Sequence, residues 1–326
     1  MDTSLFSSIF SELKKKEIFV LPESLKKHKH QGWMSTVFVV KSNIGPLIIH
    51  VSSLVKEHRR NRVWEKFFGL ADLIAAYPEI PAPTIRYAGL LNSKFILVQN
   101  FLDGSPAGKR ILENNIISDN WRLDRAEIIK KILRALSAAH EIKFKKFGWP
   151  GLKTNRLEGR YKTSKEFFGK EAPRWIETIK KADKKFSNKI TPIKELDLFA
   201  QKIIARINYA GPAVLVHGDA VNPSNILVNN KKEILLLDWE WSTIADPAWE
   251  FCDLGWWPLL NQKVFSPYFK ARGIEDILQK ENFLERARLY APLWLLWGTH
   301  MHAHDSSPDV YLALHKLLVD RTSAKD

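Results

Sequence analysis

Asp219, Asn225 and Asp238 are oxygen-donor side chains set among short apolar runs in VLVHGDAVNPSNILVNNKKEILLLDWEW, residues 214–241. Asp219 falls in a loop between two such runs. Asn225 opens the run 226–228, and Asp238 closes the run 234–237. The tight turn 229–232 makes a hairpin of these runs and brings Asn225 and Asp238 to its same end. Such a pair, with Asp219 nearby, suits a hard divalent cation. Magnesium takes one or two carboxylates together with phosphate oxygens and water. Phosphoryl transfer needs positioning, neutralised charge and a group to accept the alcohol proton. Taken singly, a loop Asp is a turn or cap residue and an Asn at a strand start is a turn residue. Their joint order against the apolar runs is what points to chemistry.

The elements that must hold these residues are legible on both sides. Residues 1–30 read as a short helix and a basic loop. Residues 37–40 and 47–51 are β-branched and aromatic-rich, separated by the turn Asn43-Ile44-Gly45-Pro46. The small loop 31–36 precedes them. Val63, Phe67, Leu70, Ala71 and Ile74 recur at helical spacing, and Pro78, Pro81 and Pro83 end that helix. Strands follow at 84–87 and 95–98. After Gly108 the chain reads as helical, with helices at 127–142, 160–182 and 192–208, then the strand island at 214–237, then a tryptophan-rich helical end from residue 281. The expected fold class is α+β, with a β-rich part over 1–104 and a mostly helical part over 105–326.

Composition narrows the class. The chain has 326 residues, 45% hydrophobic and 26% charged, which fits a globular protein. No apolar run approaches the ~18 residues of a membrane span. The N-terminus lacks the basic-then-apolar order of a secretion signal. A single cysteine, Cys252, excludes an internal disulfide and a cysteine-based zinc site, so a cytoplasmic protein is expected. The net charge of +14 is spread over short lysine runs rather than one arm. It favours phosphate-bearing partners such as ATP, and no nucleic-acid partner is expected.

With these residues in place, the pattern HGD…N-I-L…L-D-W-E resembles the signature of the aminoglycoside phosphotransferase and choline kinase superfamily, whose fold is similar to that of protein kinases. Residues 95–104 resemble its hinge strand, 147–151 (FGWPG) a segment it often carries, and 246–250 (DPAWE) the stretch after its metal-binding Asp. The resemblance implies a two-lobed fold, an ATP and magnesium requirement, and transfer of the γ-phosphoryl group to a small-molecule hydroxyl. By position it implies Asp219 as catalytic base and His217 as a brace of its loop, with Asn225 and Asp238 as magnesium ligands. It also implies Gly32, Ser35, His50 and Glu65 at the nucleotide, and backbone contacts to adenine from Gln99, Asn100 and Phe101.

Two departures from that pattern stand out. Five residues, rather than the usual four, separate Asp219 from Asn225, which leaves Asn222 as an alternative ligand. The small-lobe strand offers His50 where a lysine or arginine is expected, and Lys41 and Lys56 are alternative cations. The acceptor site is read from Glu240, Trp241, Asp246, Trp249 and Glu250. Asp253, Trp256, Trp257, Trp294 and Trp297 add acid and aromatic character, which suits a quaternary amine or a stacked ring as well as a core. A choline- or ethanolamine-type kinase is the alternative acceptor class. An inactive pseudokinase scaffold is the alternative of a different kind, favoured by the lengthened loop and His50. His300 and His304 share a helix face, but two histidines alone make a weak metal site.

Overall fold

Leu5, Phe6, Ile9 and Leu13 fall on one face of helix α1 (Thr3–Lys14), and all four are buried. In this computed structural model, which describes residues 3–29, 35–53, 63–113, 116–153, 156–190, 193–303 and 308–323, that face closes over an antiparallel sheet. The sheet contains β1 (Val20–Lys27), β2 (Thr36–Ser42), β3 (Leu47–Ser53), β4 (Ile85–Leu91) and β5 (Lys94–Asn100), in the order β1-β2-β3-β5-β4. Alternation sets its inner face: Val40, Leu47, Ile49, Ile96 and Val98 are fully buried beneath α1. Each α1 side chain so buried contributes about 1.5–3 kcal/mol before the entropy of ordering it is counted. Helix α2 (Val63–Ala76) packs on β4 and β5, with Phe67 stacked on Phe95 at 5.8 Å between ring centroids.

Beyond the sheet the chain runs through β6 (Ser105–Pro106) into a hairpin, β7 (Gly108–Glu113) and β8 (Ile116–Trp121). This hairpin stands where the sequence reads as helical. Then come α3 (Arg125–Ala139), β9 (Lys143–Phe144), β10 (Gly151–Lys153), β11 (Arg156–Glu158), α4 (Ser164–Lys185) and α5 (Leu196–Arg206). The strand island resolves into β12 (Ala213–Val216), β13 (Ile226–Val228), β14 (Ile234–Leu236) and β15 (Thr243–Ala245). Helices α6 (Gln262–Ala271), α7 (Ile277–His302) and α8 (Pro308–Ser323) close the chain. Among the described residues no helix is long and apolar enough to cross a membrane.

The chain divides into two compact units. One holds Met1–Ser105, Pro150–Leu157 and Asn229–Glu240, and the other holds the remainder. The β-rich unit thus takes two later segments that a single cut at residue 104 leaves in the helical part. In the helical unit β12 lies between β15 and β9, with Val214 opposite both Ala245 and Lys143. Strand β12 is buried along its whole length and delivers residues 217–219 from a rigid base.

Candidate active site

The turn after β12 is fixed before any ligand arrives. Gly218 adopts φ +89°, and a Cβ on it would lie 2.7 Å from the Trp241 carbonyl oxygen, so this position needs glycine. The buried Glu250 carboxyl accepts the His217 N–H at 2.6 Å and the Gly218 N–H at 3.3 Å. Burial pushes Glu250 up to about 8, against the pull of those two N–H groups, and the Asp219 and Asp253 charges push the same way. The Asp219 N–H donates to His217 Nδ1 at 3.3 Å, so the histidine ring sits under the loop.

Asp219 emerges from this turn half-buried, with both carboxylate oxygens held. Oδ1 accepts from Arg110 Nη1 at 3.1 Å. Oδ2 accepts from Asn225 Nδ2 at 2.7 Å and Asn222 Nδ2 at 3.0 Å. The lengthened loop is taken up by a 3-10 turn, Pro223–Asn225, capped by the Asn222 side chain on the Ser224 N–H. The added residue therefore brings a second asparagine to the carboxylate rather than displacing the first.

Arg110, on β7, also binds Asp119 through Nε (2.8 Å) and Asp253 through Nη2 (3.1 Å). Burial opposes its charge, but Asp253, Asp219 and Asp119 outweigh that and hold the guanidinium well above its ordinary range. The sequence reading missed Arg110 and Asp119 because it took their hairpin for helix. Apolar Ile111, Leu112, Ile116 and Ile117 around Asn114-Asn115 were the available signal.

In the β-rich unit, Asp238 is an exposed residue that holds φ +60°, yet burial of its carboxyl raises it above the usual carboxylate range, against the Glu240 N–H and Lys66. Beside it the buried Lys66 of α2 donates from Nζ to the Glu240 carbonyl oxygen at 2.6 Å. Burial brings Lys66 down to about 8, with Glu240 and Asp238 acting in the opposite sense. Sequence reasoning singled out the neighbouring Glu65 instead. The Glu65 side chain, Gly32, Lys56 and His304 lie outside the described residues.

Three expectations need correction. His50 pairs with Val37 and Leu97 inside the sheet, and its ring lies 3.4 Å from Ser35 Oγ. Burial, helped by His28, lowers it to about 4, so it is neutral at pH 7 and supplies no fixed cation. Gln99 is paired on both sides, with Ile48 and Ile85, while the Asn100 N–H goes to the Thr84 carbonyl and the Phe101 N–H to the Pro46 carbonyl. Those two amides are engaged, and the chain leaves β5 after Asn100. Asp246, Trp249 and Glu250 are buried structural groups. Asp246 binds Arg286 Nε at 2.8 Å and the Tyr290 hydroxyl at 3.0 Å, and Trp249 packs on Phe168 at 4.7 Å. Of the acceptor candidates, only Glu240 and Trp241 are half-exposed, and Trp241 meets Trp297 edge-on at 5.4 Å.

Among the described residues, no group of three or more His, Cys, Asp or Glu is placed to hold a metal. Magnesium does not need one, since hard oxygen donors in small number complete their shell with phosphates and water. The Asn225 amide is a donor of that kind in the helical unit, and the Asp238 carboxylate is one in the β-rich unit.

Comparison with known proteins bears on the fold and the family. Solved structures share the fold at low identity. Aminoglycoside phosphotransferase APH(4)-Ia is 15% identical, with all of both chains covered and a TM-score of 0.61. A thermostable mutant of the same enzyme, in a ternary complex with AMP-PNP and hygromycin B, is 16% identical over 98% of this chain and 99% of that one, at 0.59. Macrolide 2'-phosphotransferase MphH from Brachybacterium faecium is 12% identical over 98% of both, at 0.54. No curated protein matches in sequence. Residues 30–284 match the model of one family, and by that match the chain belongs to the phosphotransferase enzyme family.

Proposed function

We propose that this chain transfers the γ-phosphoryl group of ATP to a hydroxyl of a small molecule, with magnesium. The observation that carries the reading is the Asp219 carboxylate, held by Arg110, Asn222 and Asn225 on a turn that Gly218 and Glu250 fix. Such preorganisation suits a group that must meet an alcohol proton in one geometry. The complex with AMP-PNP in a protein of the same fold supports a nucleotide as donor.

Asp219 orients the acceptor hydroxyl and takes its proton. Asn225 and Asp238 are the proposed magnesium ligands. When bound, the metal neutralises phosphate charge and orients the γ-phosphoryl group. His217 and Glu250 keep the Asp219 turn in place. The backbone of 102–104 is the proposed adenine contact in place of 99–101. Trp241 and Glu240 are the acceptor contacts that remain of the five candidates. The lone, buried Cys252 fits a reducing compartment, and we place the protein in the cytoplasm.

The test combines binding and turnover. Mg·ATP raises the melting temperature of the parent in proportion to nucleotide excess, as a ligand of the folded state must. Asp219→Asn keeps that shift and loses phosphorylation of an acceptor found by screening alcohols, aminoglycosides and choline. Absence of a magnesium-dependent shift in the parent, or parental turnover in Asp219→Asn, overturns the reading. A shift without turnover of any acceptor favours a nucleotide-binding scaffold.

A further inference from the structure

The phosphates of a nucleotide need a fixed positive charge, and the described residues of strand β3 do not provide one. His50 is neutral at pH 7, and Lys41 lies exposed on β2, paired with Leu21 of the edge strand. We infer that Lys66, on helix α2, is the side chain that contacts the nucleotide phosphates. This inference rests on the function proposed above and assigns one part of that site.

Four observations carry it. Lys66 is only 7% exposed, although a buried ammonium is costly unless something compensates it. Among the described residues its one hydrogen bond goes to a backbone carbonyl, that of Glu240 at 2.6 Å, while an ammonium carries three N–H groups. Donors therefore remain for a ligand. The carbonyl it holds is two residues from Asp238, a proposed magnesium ligand whose charge acts on the ammonium. Finally, the rotation of α2 is pinned. Phe67 stacks on Phe95 of the sheet and Leu70 is fully buried, so the residue before Phe67 turns towards Asp238 and Glu240 rather than into solvent. Cation and helix thus stand in for a strand lysine that the sequence lacks.

The experiment measures affinity as a function of phosphate number. Isothermal titration of the full chain with adenosine, Mg·ADP and Mg·ATP is compared between the parent, Lys66→Met and Lys66→Arg. Loss of a charge-assisted contact weakens Mg·ADP and Mg·ATP about tenfold or more in Lys66→Met and leaves adenosine unchanged. Lys66→Arg recovers part of the loss. Equal affinity of the parent and Lys66→Met for Mg·ADP overturns the inference while the proposed function stands. Equal weakening of adenosine and Mg·ADP also overturns it, since the lysine would then only support the fold. A parent that binds none of the three defeats the functional reading, and this inference with it.

Discussion

Arg110 Nη1 lies 3.1 Å from Asp219 Oδ1, so a residue of the β7–β8 hairpin, far away in sequence, holds the proposed catalytic carboxylate from one side. The same guanidinium holds Asp119 and Asp253, and three carboxylates depend on one cation. Removing one partner of a buried charge network strands the others, at about 3–5 kcal/mol.

Arg110→Met is therefore expected to lower stability by about 3 kcal/mol or more, seen in the urea midpoint. A carboxylate released from its clamp is misplaced by an ångström or so, which costs about a hundredfold in turnover. Mg·ADP affinity should stay near that of the parent. Unchanged kcat would show that the clamp does not position Asp219.

The two asparagines on Asp219 Oδ2 separate by their other duties. Asn222 caps the 3-10 turn on the Ser224 N–H at 3.1 Å, so Asn222→Ala should cost about 1 kcal/mol of stability with the magnesium requirement kept. Asn225→Ala should raise the magnesium concentration for half-maximal rate by about tenfold or more. The reverse pattern would transfer the ligand role to Asn222.

Glu250 predicts a pH dependence. Its carboxyl is raised from 4.5 to about 8 in the folded chain, so the folded state binds a proton that the unfolded state releases between those values. Its contribution is complete below 4.5 and lost as pH rises through 8, with a slope of up to about 1.4 kcal/mol per pH unit. His140, with Nε2 3.8 Å away and lowered to about 3 by burial and by Arg272, stays neutral across this range. Chemical denaturation at about pH 5.5 and about pH 7.5 should show the parent losing stability relative to Glu250→Gln, because the buried His50 and His140 favour the higher pH equally in both chains. Equal slopes would contradict the shift.

Phe168 is fully buried and touches Trp249, Trp175 and Tyr290. Phe168→Ala should cost about 3–5 kcal/mol. In the folded fraction, Trp249→Phe should leave the acceptor KM unchanged, since Trp249 packs within the core. A KM change confined to Trp249 would return it to the acceptor site.

The two strands 47–51 and 95–98 were legible because each is an apolar, β-branched run beside turn residues. The order Asp219, Asn225, Asp238 was legible because each of these candidates lies within three residues of a strand end. Arg110 was not, because its partners Asp219 and Asp253 are more than a hundred residues away, and ion pairs of that span leave no local pattern. Lys66 was hidden for a related reason. A lysine in an amphipathic helix reads as a solvated face, and its burial and its bond to the Glu240 carbonyl show only in the fold. The carboxylates at 246 and 250 were overread as acceptor ligands, since a sequence does not tell which acids are satisfied internally by Arg286 or by backbone N–H groups.

Asp238 has the left-handed backbone of φ +60°, which an L-residue adopts at a cost of about 1 kcal/mol and glycine adopts freely. Heat alone is thus a poor judge of this protein. A library screened only for survival at high temperature weighs that relief in Asp238→Gly against the charge lost beside Lys66, and never against the magnesium dependence proposed for Asp238. Any effort to harden the molecule has to select for turnover at the same time, since heat does not weigh the metal-binding role proposed for this side chain.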